Sequence, residues 1–116
     1  MERPDIWVVS EEEVSRLGVP MTLKGYYYLV IAVVLSVKYG LIKAALIKEI
    51  YMKIAEMEEV SWFSVEKDIR NCLVKAWKDE KGPFRNTYPG RVGMPTNSEV
   101  IAYITSRIRV ETTLRI

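Results

Sequence analysis

The sequence predicts an all-α protein, a compact bundle of about five to six helices containing a helix-turn-helix, on three observations. Residues 23–39 are almost continuously apolar, and a run of seventeen exceeds the usual strand length. Residues 41–57 and 64–79 carry apolar side chains at helical spacing between charged ones. Two boxes of the Ser/Thr-x-x-Glu type, Ser10 with Glu13 and Thr96 with Glu99, have the pattern that caps helix starts. A chain of 116 residues with 49% hydrophobic and 28% charged side chains holds one core, so residues 1–116 are expected to form a single globular domain.

The first helix is expected at residues 10–17, with Ser10 as N-cap, Glu11 to Glu13 beside the positive end of its dipole, and Gly18 and Pro20 closing it. The apolar run then forms a buried helix that Gly40 breaks. The β-branched Val30, Ile31, Val33, Val34 and Val37 would also suit a strand, but length favours the helix. In the third segment Leu41, Ile42, Ala45, Leu46, Ile50, Ile54 and Met57 mark one apolar face. Glu58, Glu59, Val60 and Ser61 make a short corner without the glycine often found there, so residues 41–79 read as a helix-turn-helix. Ser61 or Ser64 caps the next helix, which turns Val65, Ile69, Cys72, Leu73, Ala76 and Trp77 to the core. Gly82, Pro83, Pro89, Gly90 and Gly93 make residues 81–94 a loop. The last helix is expected from Thr96 to about Arg109, burying Val100, Ile101, Ile104 and Ile108 ahead of an extended or frayed tail.

The composition excludes more functions than it selects. Histidine is absent, which removes the commonest general base and metal ligand; no enzyme activity, cofactor or metal is expected. The acidic cluster at 11–13 reads as a helix start rather than acid/base machinery. Cys72, the single cysteine, is expected to be a buried thiol and fits a reducing compartment. The charged start is no signal peptide, and the apolar stretch 26–37 is shorter than the about 20 residues of a membrane span, so a cytoplasmic protein with no membrane partner is expected. Net charge is +2, but residues 1–63 carry −2 and residues 64–116 carry +4.

At 100° per residue the outer face of the helix from Ser64 presents Ser64, Lys67, Asp68, Asn71, Lys75 and Lys78, with Glu66 and Arg70 at its margins. Lys67 can donate to guanine, Asn71 can bond adenine through two hydrogen bonds, and Glu66 can accept from cytosine. Lys75, Lys78, Arg85 and Arg91 suit phosphates. Spacing alone leaves open an ordinary solvated face.

Three stretches add to this reading. They are Gly18-Val19-Pro20 with Lys24-Gly25-Tyr26-Tyr27-Tyr28-Leu29, then Val65-Glu66-Lys67-Asp68-Ile69-Arg70 through Ala76-Trp77, and Pro95-Thr96-Asn97-Ser98-Glu99-Val100-Ile101-Ala102. In this order they resemble the C-terminal effector domain of the sporulation response regulator, stage-zero sporulation protein A, of endospore-forming bacteria. The resemblance implies a bundle of about six helices that binds a short promoter box in double-stranded DNA and regulates transcription. It places base contacts at Ser64, Glu66, Lys67 and Asn71, with Arg70 beside them as a phosphate contact. Ser64 and Lys67 stand where the family has arginines and Asn71 where it has histidine, whereas Glu66 and Arg70 match. The loop between Trp77 and Pro95 is shorter than in the family and leaves little of its small helix. With about nine residues ahead of the first helix, the family's receiver domain is expected to be absent, and with it a phosphorylation switch in cis. Partners implied are DNA, a homodimer on tandem sites, and RNA polymerase or a full-length regulator. The rival reading is an interaction protein that modulates such a partner without specific DNA readout.

Overall fold

The apolar run organises the whole chain. A computed structural model describes residues 5–40 and 47–114, and within them six helices, α1 (Ile6–Arg16), α2 (Lys24–Tyr39), α3 (Ile47–Glu58), α4 (Trp62–Trp77), α5 (Pro83–Thr87) and α6 (Asn97–Leu114), with no strand. Helix α2 is apolar nearly all round, so it is stable only when enclosed. It is the central element, packed against α1, α3, α4 and α6, with Leu29, Val30, Ile31, Ala32 and Val33 buried. Ser36, enclosed with them, donates its hydroxyl to the Ala32 carbonyl at 2.8 Å, which satisfies a polar group inside the core. Gly40 ends the helix at φ 68°, in the left-handed region where a side chain is penalised. The rest of the expected third helix up to Leu46 lies outside the described residues.

Gly25 sets how closely α2 approaches α4. A Cβ placed there would lie 2.0 Å from the Asp68 carbonyl oxygen. Only hydrogen fits at that crossing, so the glycine fixes the position of α4 against the bundle.

The start of α1 differs from expectation. The helix begins at Ile6, four residues early, because the Asp5 carboxylate accepts the Trp7 backbone N–H at 2.8 Å and captures the cap position. Starting there turns Val9 into the core with Val14. Ser10 is therefore a buried mid-helix residue, not a cap, and its hydroxyl has no partner. Glu13 is displaced from the dipole end to the middle of the bundle. Glu13 is 4% exposed, and its carboxylate accepts from Arg16 at 3.0 Å and from Arg107 Nε of α6 at 2.9 Å. The residue read as a cap braces the two ends of the chain together.

Between α3 and α4 the chain turns in three residues, and the missing glycine is replaced by strain. Glu59 adopts φ 54°, while the Val60 N–H bonds the Ala55 carbonyl to close the end of α3. Met57, counted in the apolar face, is exposed; Ile50 and Ile54 are buried as expected, joined by Tyr51 and Ala55.

Helix α4 starts at Trp62 rather than Ser64, since Ser61 accepts the Ser64 N–H at 3.1 Å. All six residues expected on its core side are buried. Among them Cys72 donates to the Ile69 carbonyl, and burial pushes its thiol up to about 12. The native protein should resist iodoacetamide at pH 8 and be alkylated only as it unfolds, followed by mass spectrometry across a urea series; alkylation at the rate of a free thiol would show that Cys72 is accessible.

The expected loop after α4 contains a helix. Pro83 occupies the first position of α5, where its lack of N–H costs nothing. The helix exists to bury Phe84, which meets Trp77 and Tyr88 edge-on at ring separations of 5.0 and 5.8 Å. The box at the start of α6 is present, with the Glu99 N–H donating to Thr96 Oγ1 at 3.2 Å. Val100, Ile101, Ile104 and Ile108 are buried as expected, but the helix continues five residues past Arg109 to Leu114, supported by the Arg107–Glu111 pair one turn apart.

Candidate nucleic-acid interface

Helix α4 is anchored along one whole side and free along the other. Lys67, Asn71, Lys75 and Lys78 are exposed on the free side, and among the described residues their side chains make no hydrogen bond or ion pair. This leaves a row of uncommitted donors over about three turns, the amide nearest the middle and cations at both ends. A recess of about 450 Å³ beside this row is lined by Leu23, Lys24, Asp68, Asn71, Lys75 and Lys78. Lys24, at the first position of α2, thus joins cations that lie some fifty residues away in the chain. Sequence spacing could not have brought it there.

The remaining residues singled out from the sequence are differently employed. Ser64 shares its hydroxyl with that of Ser61 at 2.9 Å and is held within the cap of α4. Glu66 and Arg70 are paired with each other along the helix surface. Such a partly exposed pair is worth only about 0.3–0.5 kcal/mol, so both groups can exchange this partner for another.

Arg85 and Arg91 do not extend the row. Arg85 donates Nε to the Trp77 carbonyl at 2.6 Å, and its guanidinium centre stands 4.1 Å from the centre of the Trp77 ring, so it caps the end of α4 from α5. Arg91 forms two bonds to Glu99 at 2.7 and 3.2 Å, and its Nε donates to the Gly93 carbonyl. Hydrogen bonding to Arg91 holds the Glu99 carboxyl below its usual range and raises the Arg91 guanidinium in turn. Arg85 thus ties α5 to the end of α4, and Arg91 ties the preceding loop to the start of α6.

The Pro-Thr-Asn-Ser-Glu stretch has a second use besides its cap. Asn97, buried at the first position of α6, donates Nδ2 to the backbone carbonyl of Glu66 at 3.1 Å. The beginning of α6 is thereby fastened to the second turn of α4.

Among the described residues no helix is long and apolar enough to cross a membrane, and no group of three or more His, Cys, Asp or Glu could hold a metal ion. Compared with known protein families, residues 11–108 match the family described as sporulation initiation factor Spo0A C terminal.

Proposed function

The chain belongs to that Spo0A C-terminal family, the DNA-binding effector domain of a sporulation regulator and not an enzyme family, and from this premise we propose that it regulates transcription by sequence-specific binding of duplex DNA. Helix α4 enters the major groove with its buried side away from the DNA. The observation that carries this reading is the row of unpartnered donors on an otherwise fully anchored helix.

Lys67 donates to a guanine, Asn71 bonds an adenine edge with its amide nitrogen donating and its amide oxygen accepting, and Glu66 accepts from a cytosine once it exchanges Arg70 for the base. Lys24, Lys75, Lys78 and the released Arg70 meet phosphates, which carry affinity and orientation but no sequence information. Arg85 and Arg91 contribute by holding α4 and its flanking turn. The protein works in the cytoplasm, as a single copy or as a homodimer on tandem sites.

The test compares fluorescence anisotropy on a duplex carrying the family's promoter box and on a scrambled duplex, each at two salt concentrations. Wild type should prefer the box by tenfold or more, with the preference surviving added salt. Lys67→Ala with Asn71→Ala should remove about 1–3 kcal/mol of discrimination per position, abolishing the preference. Lys75→Ala and Lys78→Ala should instead weaken both duplexes equally and lower the salt slope by about 1 each. An unchanged preference in the Lys67/Asn71 double variant would refute the assignment of α4.

A second reading draws on Ser64, whose short hydroxyl is tied into the cap where the family carries an arginine. Loss of that contact favours an interaction protein that pairs with RNA polymerase or a full-length regulator. Absence of duplex binding, with co-purification of either partner, would select it.

A further inference from the structure

The first turn of α4 carries an aromatic side chain that the core does not use. Phe63, the second residue of the helix, is 65% exposed, while its neighbour Trp62 is half-buried against the core. The two rings are stacked at 3.9 Å with 24° between their planes. Lys48 of α3 places its ammonium 4.8 Å from the centre of the Trp62 ring, a cation–π contact that holds the tryptophan from the other helix of the corner. Phe63 is thus an apolar surface kept in water on a rigid support, at the start of the helix proposed to read DNA.

Its surroundings narrow what such a surface can meet. Lys67 lies one turn further along the same side and Lys48 stands behind Trp62, while Glu66 on α4 and Glu59 in the corner lie close by in the chain, so the charge around Phe63 is mixed and its apolar face is what distinguishes it. The N-terminal residues of a recognition helix are the ones that reach base edges. In the major groove the apolar group on offer is the 5-methyl of thymine, and phenylalanine is among the side chains that contact it. Ser64, beside it in sequence, has withdrawn its hydroxyl into the cap.

We propose that Phe63 is a specificity-determining residue that packs on a thymine methyl group in the major groove, replacing polar readout at Ser64 with apolar readout one residue earlier. This rests on the placement of α4 in the groove argued above.

The experiment begins with the preferred duplex, selected by the intact wild-type protein from a randomised pool. Each thymine in it is then replaced singly by deoxyuridine, which removes only the methyl, and the duplexes are titrated with wild type and with Phe63→Ala by anisotropy. At one thymine the substitution should weaken wild type about fourfold, the effect of one buried methyl, and leave Phe63→Ala unaffected. Phe63→Leu, which keeps an apolar side chain, should retain part of this sensitivity. Because Phe63 is exposed, unchanged thermal melting of Phe63→Ala will show that the fold is intact. A specific duplex whose uracil substitutions are all neutral, or affect wild type and Phe63→Ala alike, overturns the inference and leaves the proposed function standing. A pool that yields no preferred duplex removes both.

Discussion

Gly25→Ala is expected to lower stability by at least the upper end of the about 1–3 kcal/mol typical of overpacking. Helix propensity alone argues the opposite, since alanine is favoured over glycine by about 1 kcal/mol inside a helix. Sterics decide the sign. The added Cβ would stand 2.0 Å from the Asp68 carbonyl oxygen, 2.7 Å from the Asp68 carbonyl carbon and 2.9 Å from the Cys72 sulfur. Two of those atoms are backbone within a regular helix and cannot swing aside as a side chain would. Relief requires α4 to move bodily from α2, which opens a close crossing in a densely packed core. Urea unfolding should show the midpoint falling sharply, with a thermal midpoint about 10 °C or more lower for a domain of this size. The same displacement moves Lys67 and Asn71, so sequence preference should fall with stability although residue 25 touches no DNA in the proposed complex. A midpoint unchanged or raised by alanine would mean that α2 and α4 are not this close.

Phe84→Ala should cost about 3–5 kcal/mol, as truncation of a fully enclosed aromatic does. Phe84 is 0% exposed and held edge-on between Trp77 and Tyr88, so its removal leaves a cavity bounded by two rigid rings that cannot collapse into it. Denaturant unfolding measures the loss. If residues 81–94 behaved as the open loop that their Gly and Pro content implies, the change would stay within about 0.5 kcal/mol. Arg85→Ala makes an informative comparison: losing the bond to the Trp77 carbonyl and the stacking on its ring should cost about 1–2 kcal/mol, much less than Phe84, although the two residues are adjacent.

What the sequence reveals is what its local signals decide without competition. The length of the 23–39 run rules for helix over strand, the period of Val65, Ile69, Cys72, Leu73, Ala76 and Trp77 selects the buried side of α4, and Thr96 with Glu99 starts α6. Expectation failed where two local signals competed and the core chose between them. Asp5 and Ser10 can each cap a helix, and burial of Val9 favours Asp5. Pro83 is both a helix breaker and a good first helical residue, and the enclosure of Phe84 favours the latter. On the outer face of α4, periodicity identified the exposed donors Lys67, Asn71, Lys75 and Lys78, since exposure follows from angle around the helix. It could not show that Arg85, Arg91 and Ser64 are held by Trp77, Glu99 and Ser61, nor that Lys24 lines the same recess, because those relations depend on chain folding beyond one element. Phe63 went unmarked because an apolar residue in sequence carries no label of inside or outside.

The corner between α3 and α4 has the last bearing on how this domain is built. Glu59 holds a left-handed conformation that disfavours a side-chain-bearing residue by about 1–2 kcal/mol. A turn that its own residues disfavour persists only because its surroundings over-determine it. The angle between the two helices is therefore imposed by α2, by the Gly25 crossing and by the Asn97 tie, rather than inscribed at the bend. The pair is not a portable part: transplanted to another scaffold, it would carry the side chains of the interface but not their aim.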